Sequence, residues 1–420
     1  MDRTYHYLGG DELHTGMYVS LLRRLEREDL VVDLIARVRV SPNPVTLWRA
    51  WTHRHLLGPN PIAALRGQIR GAVHPVPIWA PFPALSLPLV ERVLREPRRE
   101  DRRMVLHTRQ IVMGRLALAL RRRLPGVRVI SEMEGDPLAE LQYIRIGVDR
   151  PSPLTRLRWA AEDRYYTREE RRLVRESDAV LCVSQKLKDL LIRRYGLDQT
   201  DAQRLSVFPS VGDPSTFFFD PAKRADLRQA LGIDRRFVVV YSGNLNARWQ
   251  VPDRLVEVFG LIRQNRPDAY FLILTPEKDR PLIATHLEAA RLSPEDYGMH
   301  SCRHDDVVRF LCAGDVGLLL RDRHLMNEVA APGKFAEYML TGLPTVMTEG
   351  IGDFSEQVRD QPFACVLPGL DRLEASQARI QAFCRRPVSF EARAAQGRWA
   401  AERFSTELRI PQLAALYRSL

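Results

Sequence analysis

The chain is short of lysine and of cysteine. Of its 63 basic residues only Lys186, Lys188, Lys223, Lys278 and Lys334 are lysines, an arginine bias that points to a GC-rich, bacterial genome and singles out each lysine that remains. The five cysteines (Cys182, Cys302, Cys312, Cys365, Cys384) are odd in number and form no C-x-x-C. They exclude a disulfide framework and a zinc ribbon. His300, Cys302 and His304 lie close together without a fourth ligand, so no metal is expected there. No apolar run reaches the length of about 18 residues that a spanning helix needs. Residues 1–10 lack the charged and apolar regions of a signal peptide, which leads to the expectation of a cytoplasmic protein. The formal net charge is +11, yet there is no zinc finger, no RNA-binding aromatic motif and no basic tail, so nucleic acid is not an expected partner. The positive balance suits phosphorylated substrates or anionic lipid instead.

What is present fits two domains. The chain has 420 residues, 45% hydrophobic and 27% charged, the composition of a soluble globular protein too long for one core. Short β-branched or apolar runs alternate with segments of helical period, the pattern of a parallel sheet covered on both faces, and the pattern occurs twice. Strands are expected at 4–8, 31–36, 104–107, 127–131, 179–183 and 205–208, then at 237–241, 270–274, 316–320, 345–347 and 364–367. This places a first doubly wound domain at 1–208, a linker at 209–222 rich in proline and glycine, a second domain at 223–392, and closing helices at 393–420 that pack back on the first. Ligands of such sheets bind beyond the carboxyl ends of the strands, so a cleft between two facing domains is the expected site. Residues 47–103 fit least. Pro75, Pro77, Pro81, Pro83 and Pro88 break the apolar stretch, which is therefore expected to be an irregular excursion. Trp48, Arg49, Trp51, Arg54, Arg66, Arg70 and Trp79 around it mix aromatic and basic side chains, which suits an insertion packing on its own domain and equally an interfacial membrane contact.

The most informative segment runs from Ala331 to Val346. Pro332 and Gly333 suit a helix start, where unpaired N–H groups favour an anion, and Lys334 stands beside that position. Glu337, one turn on, suits the vicinal hydroxyls of a ribose, and Gly342-Leu343-Pro344 ends the helix. A second such place is Val238-Val239-Val240-Tyr241-Ser242-Gly243-Asn244, a buried strand with a glycine turn expected to aim backbone N–H groups at a phosphate. On its own, the Lys/Glu pair equally suits the exposed face of an amphipathic helix.

Taken with the two-domain pattern, these segments resemble the GT-B glycosyltransferases, specifically the family 1 and family 4 retaining enzymes. Further matching stretches are Ser177-Asp178-Ala179-Val180-Leu181-Cys182-Val183-Ser184, residues 205–219 and residues 399–420. The resemblance implies a GT-B fold, α/β, with two Rossmann-like domains facing across a cleft. It implies a metal-independent transferase of the hexosyl type that needs no cofactor and moves a sugar from a nucleotide-sugar to a hydroxyl acceptor with retention. Glu337 matches the second Glu of the family's Glu-x7-Glu motif, while Val329 stands where the first belongs and Glu328 is one residue away. The family's diphosphate Arg and Lys fall on Asn244 and Trp249; Arg248 and Lys334 are the expected substitutes, with Gly9, Gly10, Gly243 and Asn244 completing the donor site. Gly9 and Gly10, with His14 and Thr15 after them, match a glycine loop near the diphosphate. On the acceptor side His107 is the expected catalytic histidine, although a structural hydrogen bond suits a strand-end His as well. Arg109, Glu132 and Glu134 are expected beside the acceptor, with Asp136 and Glu140 nearby. A saccharide or lipid-linked acceptor, envelope polysaccharide or glycolipid synthesis, and peripheral contact with the inner face of an anionic membrane complete the expectation. Its rivals are a nucleotide-sugar epimerase or hydrolase on the same fold and a non-catalytic binding module.

Overall fold

The computed structural model describes residues 3–9, 21–39, 69–78, 83–95, 103–386 and 388–420. Two parallel sheets organise them. The first holds β1 (Arg3–Gly9), β2 (Val32–Arg39), β3 (Val73–Ile78), β4 (Arg103–Arg109), β5 (Val127–Met133), β6 (Ala179–Cys182) and β7 (Leu205–Val207) in the order β3-β2-β1-β4-β5-β6-β7. The second holds β8 (Phe237–Ser242), β9 (Ala269–Leu274), β10 (Tyr297–His300), β11 (Val316–Leu319), β12 (Thr345–Thr348) and β13 (Ala364–Leu367) in the order β10-β9-β8-β11-β12-β13. The central strands β8, β11 and β12 are buried throughout, and so is the edge strand β13, because helices cover both faces. In each sheet the order reverses once, between β1 and β4 and between β8 and β11. Those two reversals are where a doubly wound sheet opens a crevice for a ligand.

All the expected strands are present, and two more among the described residues were not foreseen. Both are edge strands. β3 lies inside the stretch expected to be irregular, pairing with β2 from Leu34↔Val73 to Arg39↔Ile78, and the helix Leu87–Arg95 follows it. Pro75 and Pro77 stand two apart, so both missing N–H groups fall on the same side of the strand, and an edge tolerates that on its unpaired side. β10 is only Tyr297–His300, half-buried along its length, and carries no apolar run to announce it.

The two lobes are joined twice at one place. Gly212 in the linker pairs with Ser405 just before the last helix: its N–H donates to Phe404 O at 2.9 Å and its carbonyl accepts from Thr406 N at 2.9 Å. The helix Phe390–Phe404 stays with the second lobe, Phe404 packing on Phe335 and Phe354. Only Thr406–Ser419 crosses to the first, where Ile410, Leu413, Ala414 and Tyr417 join the core of Val105, Ile130 and Leu181. The return therefore begins at Ser405 and not at residue 393.

Arg393 anchors the second lobe beneath this crossing. Its guanidinium is buried and donates to the carbonyls of Leu311, Cys312, Gly314, Thr341 and Gly342 at 2.8–3.1 Å, with Phe219 stacked on it at 4.0 Å. Burial pulls its pKa down to about 9. Arg393→Met leaves several of those carbonyls without a donor, and each buried unsatisfied group costs about 1–3 kcal/mol. We expect urea unfolding to show a loss of about 3 kcal/mol.

Candidate functional site

The second reversal point carries a half-buried cation. The helix Gly333–Leu340 starts from Pro332, whose extended backbone turns the chain into it, and buries Phe335, Ala336, Tyr338, Met339 and Leu340 below. Lys334 and Glu337 are left on the half-buried upper face. Lys334 Nζ donates to Gln250 Oε1 at 3.1 Å, lies 3.4 Å from Tyr241 Oη, and sits 4.5 Å from the centre of the Tyr241 ring. Tyr241 Oη in turn donates to Gln250 Oε1 at 2.9 Å. Gly243 closes the cage, since a Cβ there would collide with Lys334 Nζ, and the residue holds φ +151°. The ammonium thus fits only because β8 is followed by a residue without a side chain.

This arrangement corrects the expected role of the glycine turn. The amides of Ser242, Gly243 and Leu245 are already engaged, by Tyr338 Oη at 2.8 Å, Leu274 O at 2.9 Å and Asp279 Oδ2 at 3.2 Å. What the turn gives an anion is space beside an ammonium, not a row of N–H groups. Asn244 is exposed at its tip.

The second cation of the site is Arg321, which the sequence did not single out. It follows β11, is 6% exposed, and donates from Nη1 to Trp249 O at 2.8 Å. Its charge, after burial, is the next largest influence lowering the Lys334 pKa, which stands well below the ordinary lysine value. Burial draws Arg321 itself down to about 10. Arg248, the expected partner, is instead exposed and reaches across to the first lobe, donating to Ile144 O at 2.9 Å. Glu337 lies 3.8 Å from His304 Nε2, and burial raises its carboxyl pKa. Two cations and one carboxylate are therefore gathered at the carboxyl ends of β8 and β11.

Next to them is a cavity of 230 Å³ lined by Arg321, Glu328, Glu349, Gly350 and, from the first lobe, Lys186. Val329 points away from it. Its side chain is 1% exposed and packs in the core of the first lobe, and its carbonyl accepts from Ser184 Oγ at 2.7 Å. A carboxylate at 329 would be buried among Leu187, Val183 and their neighbours, so the acid one residue earlier, Glu328, is the one that faces the cavity. Other contacts across the seam are Gln185 N and Lys186 N on Asp353 at 2.6 and 3.3 Å, Lys186 Nζ on Glu356 at 2.6 Å, and Tyr143 Oη on Asp322.

On the first lobe, β4 and β5 bring His107, Arg109, Glu132 and Glu134 together. His107 is fully buried, with Nδ1 2.7 Å from Tyr417 Oη and Nε2 3.5 Å from Glu132. It ties the first sheet to the returning C-terminal helix. Arg109 bridges Glu132, at 3.7 Å, and Glu134. Asp136 caps the helix Pro137–Arg145 and pairs with Arg194. The Glu140 carboxyl is pushed up to about 7 by burial, then by Glu134 and Asp136, while the outer edge of the residue stays open to solvent. Gly9 ends β1; Gly10, His14, Thr15, Trp48, Arg49, Trp51, Arg54, Arg66 and Trp79 lie outside the described residues. Among the described residues no group of three or more His, Cys, Asp or Glu side chains is placed to hold a metal ion, and no helix is long and apolar enough to cross a membrane.

The lysine cage has a stability consequence with a definite sign. A lysine whose pKa is lowered on folding binds its proton more weakly in the native state, so the unfolded chain holds more protons between the lowered value and the ordinary one. Stability rises with pH through that window, and below it the ammonium opposes folding. Lys334→Met is therefore expected to raise the melting temperature at neutral pH by roughly 2–4 °C, the shift that about 1 kcal/mol gives in a domain of this size. A scanning calorimeter reads it directly, and the gain should shrink as the pH is raised.

Known proteins agree with this architecture. Residues 18–211 match the model of Glycosyltransferase Family 4. Alpha-D-kanosaminyltransferase of Streptomyces kanamyceticus is 25% identical over 211 residues, 46% of this chain and 54% of that protein, so the chain spans about half the length of the curated relative it matches. Among solved structures, Alr3699/HepE of Anabaena in complex with UDP and glucose superposes with a TM-score of 0.68 at 14% identity over the whole of both chains. WaaG, a glycosyltransferase involved in lipopolysaccharide biosynthesis, superposes with a TM-score of 0.61 at 16% identity over 98% of each. The chain has the GT-B glycosyltransferase fold, with residues 18–211 matching Glycosyltransferase Family 4.

Proposed function

We propose that this protein is a glycosyltransferase that binds a nucleotide-sugar at the carboxyl ends of β8 and β11 and transfers the sugar, with retention and without a metal, to a hydroxyl of a saccharide or lipid-linked acceptor. The observation that carries the reading is the Lys334 cage: an ammonium with no carboxylate in direct contact among the described residues, held open by Gly243 beside a buried second cation, Arg321. An ammonium kept this way gains most when an anion arrives. A diphosphate beside Lys334 and Arg321 would be stabilised as its charge grows on leaving, since fixed cations in a water-poor site act more strongly than in solution. Glu337 is suited to the ribose hydroxyls, and Glu328 and Glu349 to hydroxyls of the transferred sugar in the adjoining cavity.

In the transfer the acceptor oxygen bonds to the anomeric carbon as the bond to the diphosphate oxygen breaks, and the acceptor proton passes to the departing phosphate on the same face. No protein nucleophile is required; the chain holds and orients. His107 serves as a positioning residue through Tyr417 and Glu132. The UDP complex of Anabaena HepE supports a uridine nucleotide as the first donor to test. We place the enzyme in the cytoplasm, peripheral at the inner face of an anionic membrane, in the synthesis of an envelope polysaccharide or glycolipid, a role supported by the lipopolysaccharide enzyme WaaG among its structural neighbours.

Mass spectrometry of products from a panel of nucleotide-sugars and saccharide acceptors tests the reading: a glycosylated acceptor is expected, whereas free sugar alone means a hydrolase and no turnover means a binding module. Arg321→Ala should lower turnover by about 10²–10³, the loss seen when one fixed donor to a developing charge is removed. Calorimetry of UDP binding in buffers of different ionisation heat should show proton uptake, because a phosphate neighbour raises the pKa of Lys334 from its lowered value. Affinity should accordingly fall as pH rises, and Lys334→Met should abolish the proton uptake along with at least tenfold in affinity.

A further inference from the structure

A cavity of 510 Å³ lies at the opposite end of the second lobe from the lysine cage. Its floor is formed at the amino ends of β8, β11, β12 and β13, marked by Phe237, Val316, Pro344 and Phe363. Two helices wall it, Leu373–Arg385 through Phe383 and Phe390–Phe404 through Ala392 and Gln396. Small-molecule sites have volumes of about 300–1,000 Å³, so the space suits one ligand. The length of β8, about 20 Å, separates it from Gly243.

Five arginines and two aspartates line this cavity, and most of them are already engaged. Carbonyls at the helix ends and strand starts need donors here. Arg228 donates to Ala313 O at 2.9 Å and to Arg236 O, and Arg236 to Asp268 O at 2.9 Å and Ala269 O at 3.0 Å. Arg266 sits over the Phe237 ring at 4.3 Å and holds Asp268 with two bonds, at 3.0 and 2.9 Å. Asp315 is shared by Arg224 and Arg228 at 2.5 and 3.2 Å, and the exposed Asp234 offsets the cation that this sharing leaves over. Arg235 and Arg386 remain. Both are exposed at the cavity, and neither side chain makes an ion pair or hydrogen bond among the described residues. Beside them the lining is apolar: Phe237, Phe363, Phe383 and the exposed Val388.

We propose that this cavity binds a small organic anion with a flat apolar body. Its acidic group, a carboxylate, sulfonate or phosphate ester, meets Arg235 and Arg386, and its body lies against Phe237, Phe363 and Phe383. Two like charges left open beside aromatic walls focus a potential that an anion relieves, and guanidinium groups suit the paired oxygens of such an acid. A wholly apolar ligand would leave the arginines unanswered. A compact ion such as inorganic phosphate would leave the rings wet. The cavity shares no residue with the Lys334 and Arg321 site, so the inference stands apart from the transferase reading.

Fluorescence titration of the full chain with two dyes is the test: anilinonaphthalene sulfonate, an anion of this shape, and phenylnaphthylamine, the same rings without the acid. The wild type should bind the sulfonate more tightly, and excess UDP should leave it in place. Arg235→Ala with Arg386→Ala should weaken sulfonate binding by roughly tenfold, the sum of two partly exposed ion pairs, and leave phenylnaphthylamine unchanged. Ala392→Trp, which fills the space from the helix side, should weaken both dyes. Sulfonate binding that the arginine substitutions do not alter, or that UDP displaces, overturns the proposal, as does equal affinity of the wild type for the two dyes. All three positions are exposed, so the melting temperature should stay the same in these variants. Should the alanine pair unfold, Arg235→Gln with Arg386→Gln removes the charges with less loss of side chain and is read by the same titration.

Discussion

The second lobe is arranged around an ammonium that no carboxylate of the described residues touches. A buried cation ordinarily acquires one, because the desolvation cost is otherwise borne by the fold. Lys334 has an aromatic face, an amide oxygen and a phenol instead. Each of these constrains something else: Tyr241 must be an inward residue of β8, Gln250 must be brought back under the sheet by the turn that follows, and Gly243 must lack a Cβ. Glu337 stands too near to be ignored but is itself burdened by burial, so neither group fully satisfies the other. A site kept short of negative charge in this way is less stable than it would be with an apolar residue, a recurrent feature of sites shaped for a ligand.

The sequence made the architecture legible because both of its strongest signals, apolar strand runs and helical period, are set by burial. β8, β11, β12 and β13 are covered on two faces and read as plain apolar runs. β3 and β10 are edges, and an edge neither needs an apolar run nor forbids proline. Lys334 and Glu337 could be picked out as a pair from their spacing at a helix start. Arg321 could not, since one arginine after a strand in a chain with dozens of others carries no local signal; only the fold brings it near Lys334.

Other features depended on long-range contact in the same way. His107 reads as a strand-end histidine until Tyr417, far away in the chain, is found against its ring. The amides of the Gly243 turn looked free because nothing local shows that Tyr338 and Asp279 occupy them. Residue 329 is the plainest case. A motif comparison marks its valine as a missing acid, whereas the structure shows the side chain turned into the other lobe and Glu328 facing the cavity. Sequence spacing counts residues, and the local chain direction decides which of two neighbours looks inward.

The pairing of Gly212 with Ser405 has a mechanical meaning. Two covalent crossings laid side by side and stitched by hydrogen bonds act as a double-leaf pivot: they permit bending about one line and resist torsion about the perpendicular. Along the seam the polar contacts of Asp353, Lys186 and Tyr143 run beside apolar ones, Val329 in the core of the first lobe and Met326 against Ala139 and Tyr143, and separating the lobes would sacrifice both kinds while sparing the pivot. Any movement of one lobe against the other therefore keeps this point fixed, since both chain crossings pass through it.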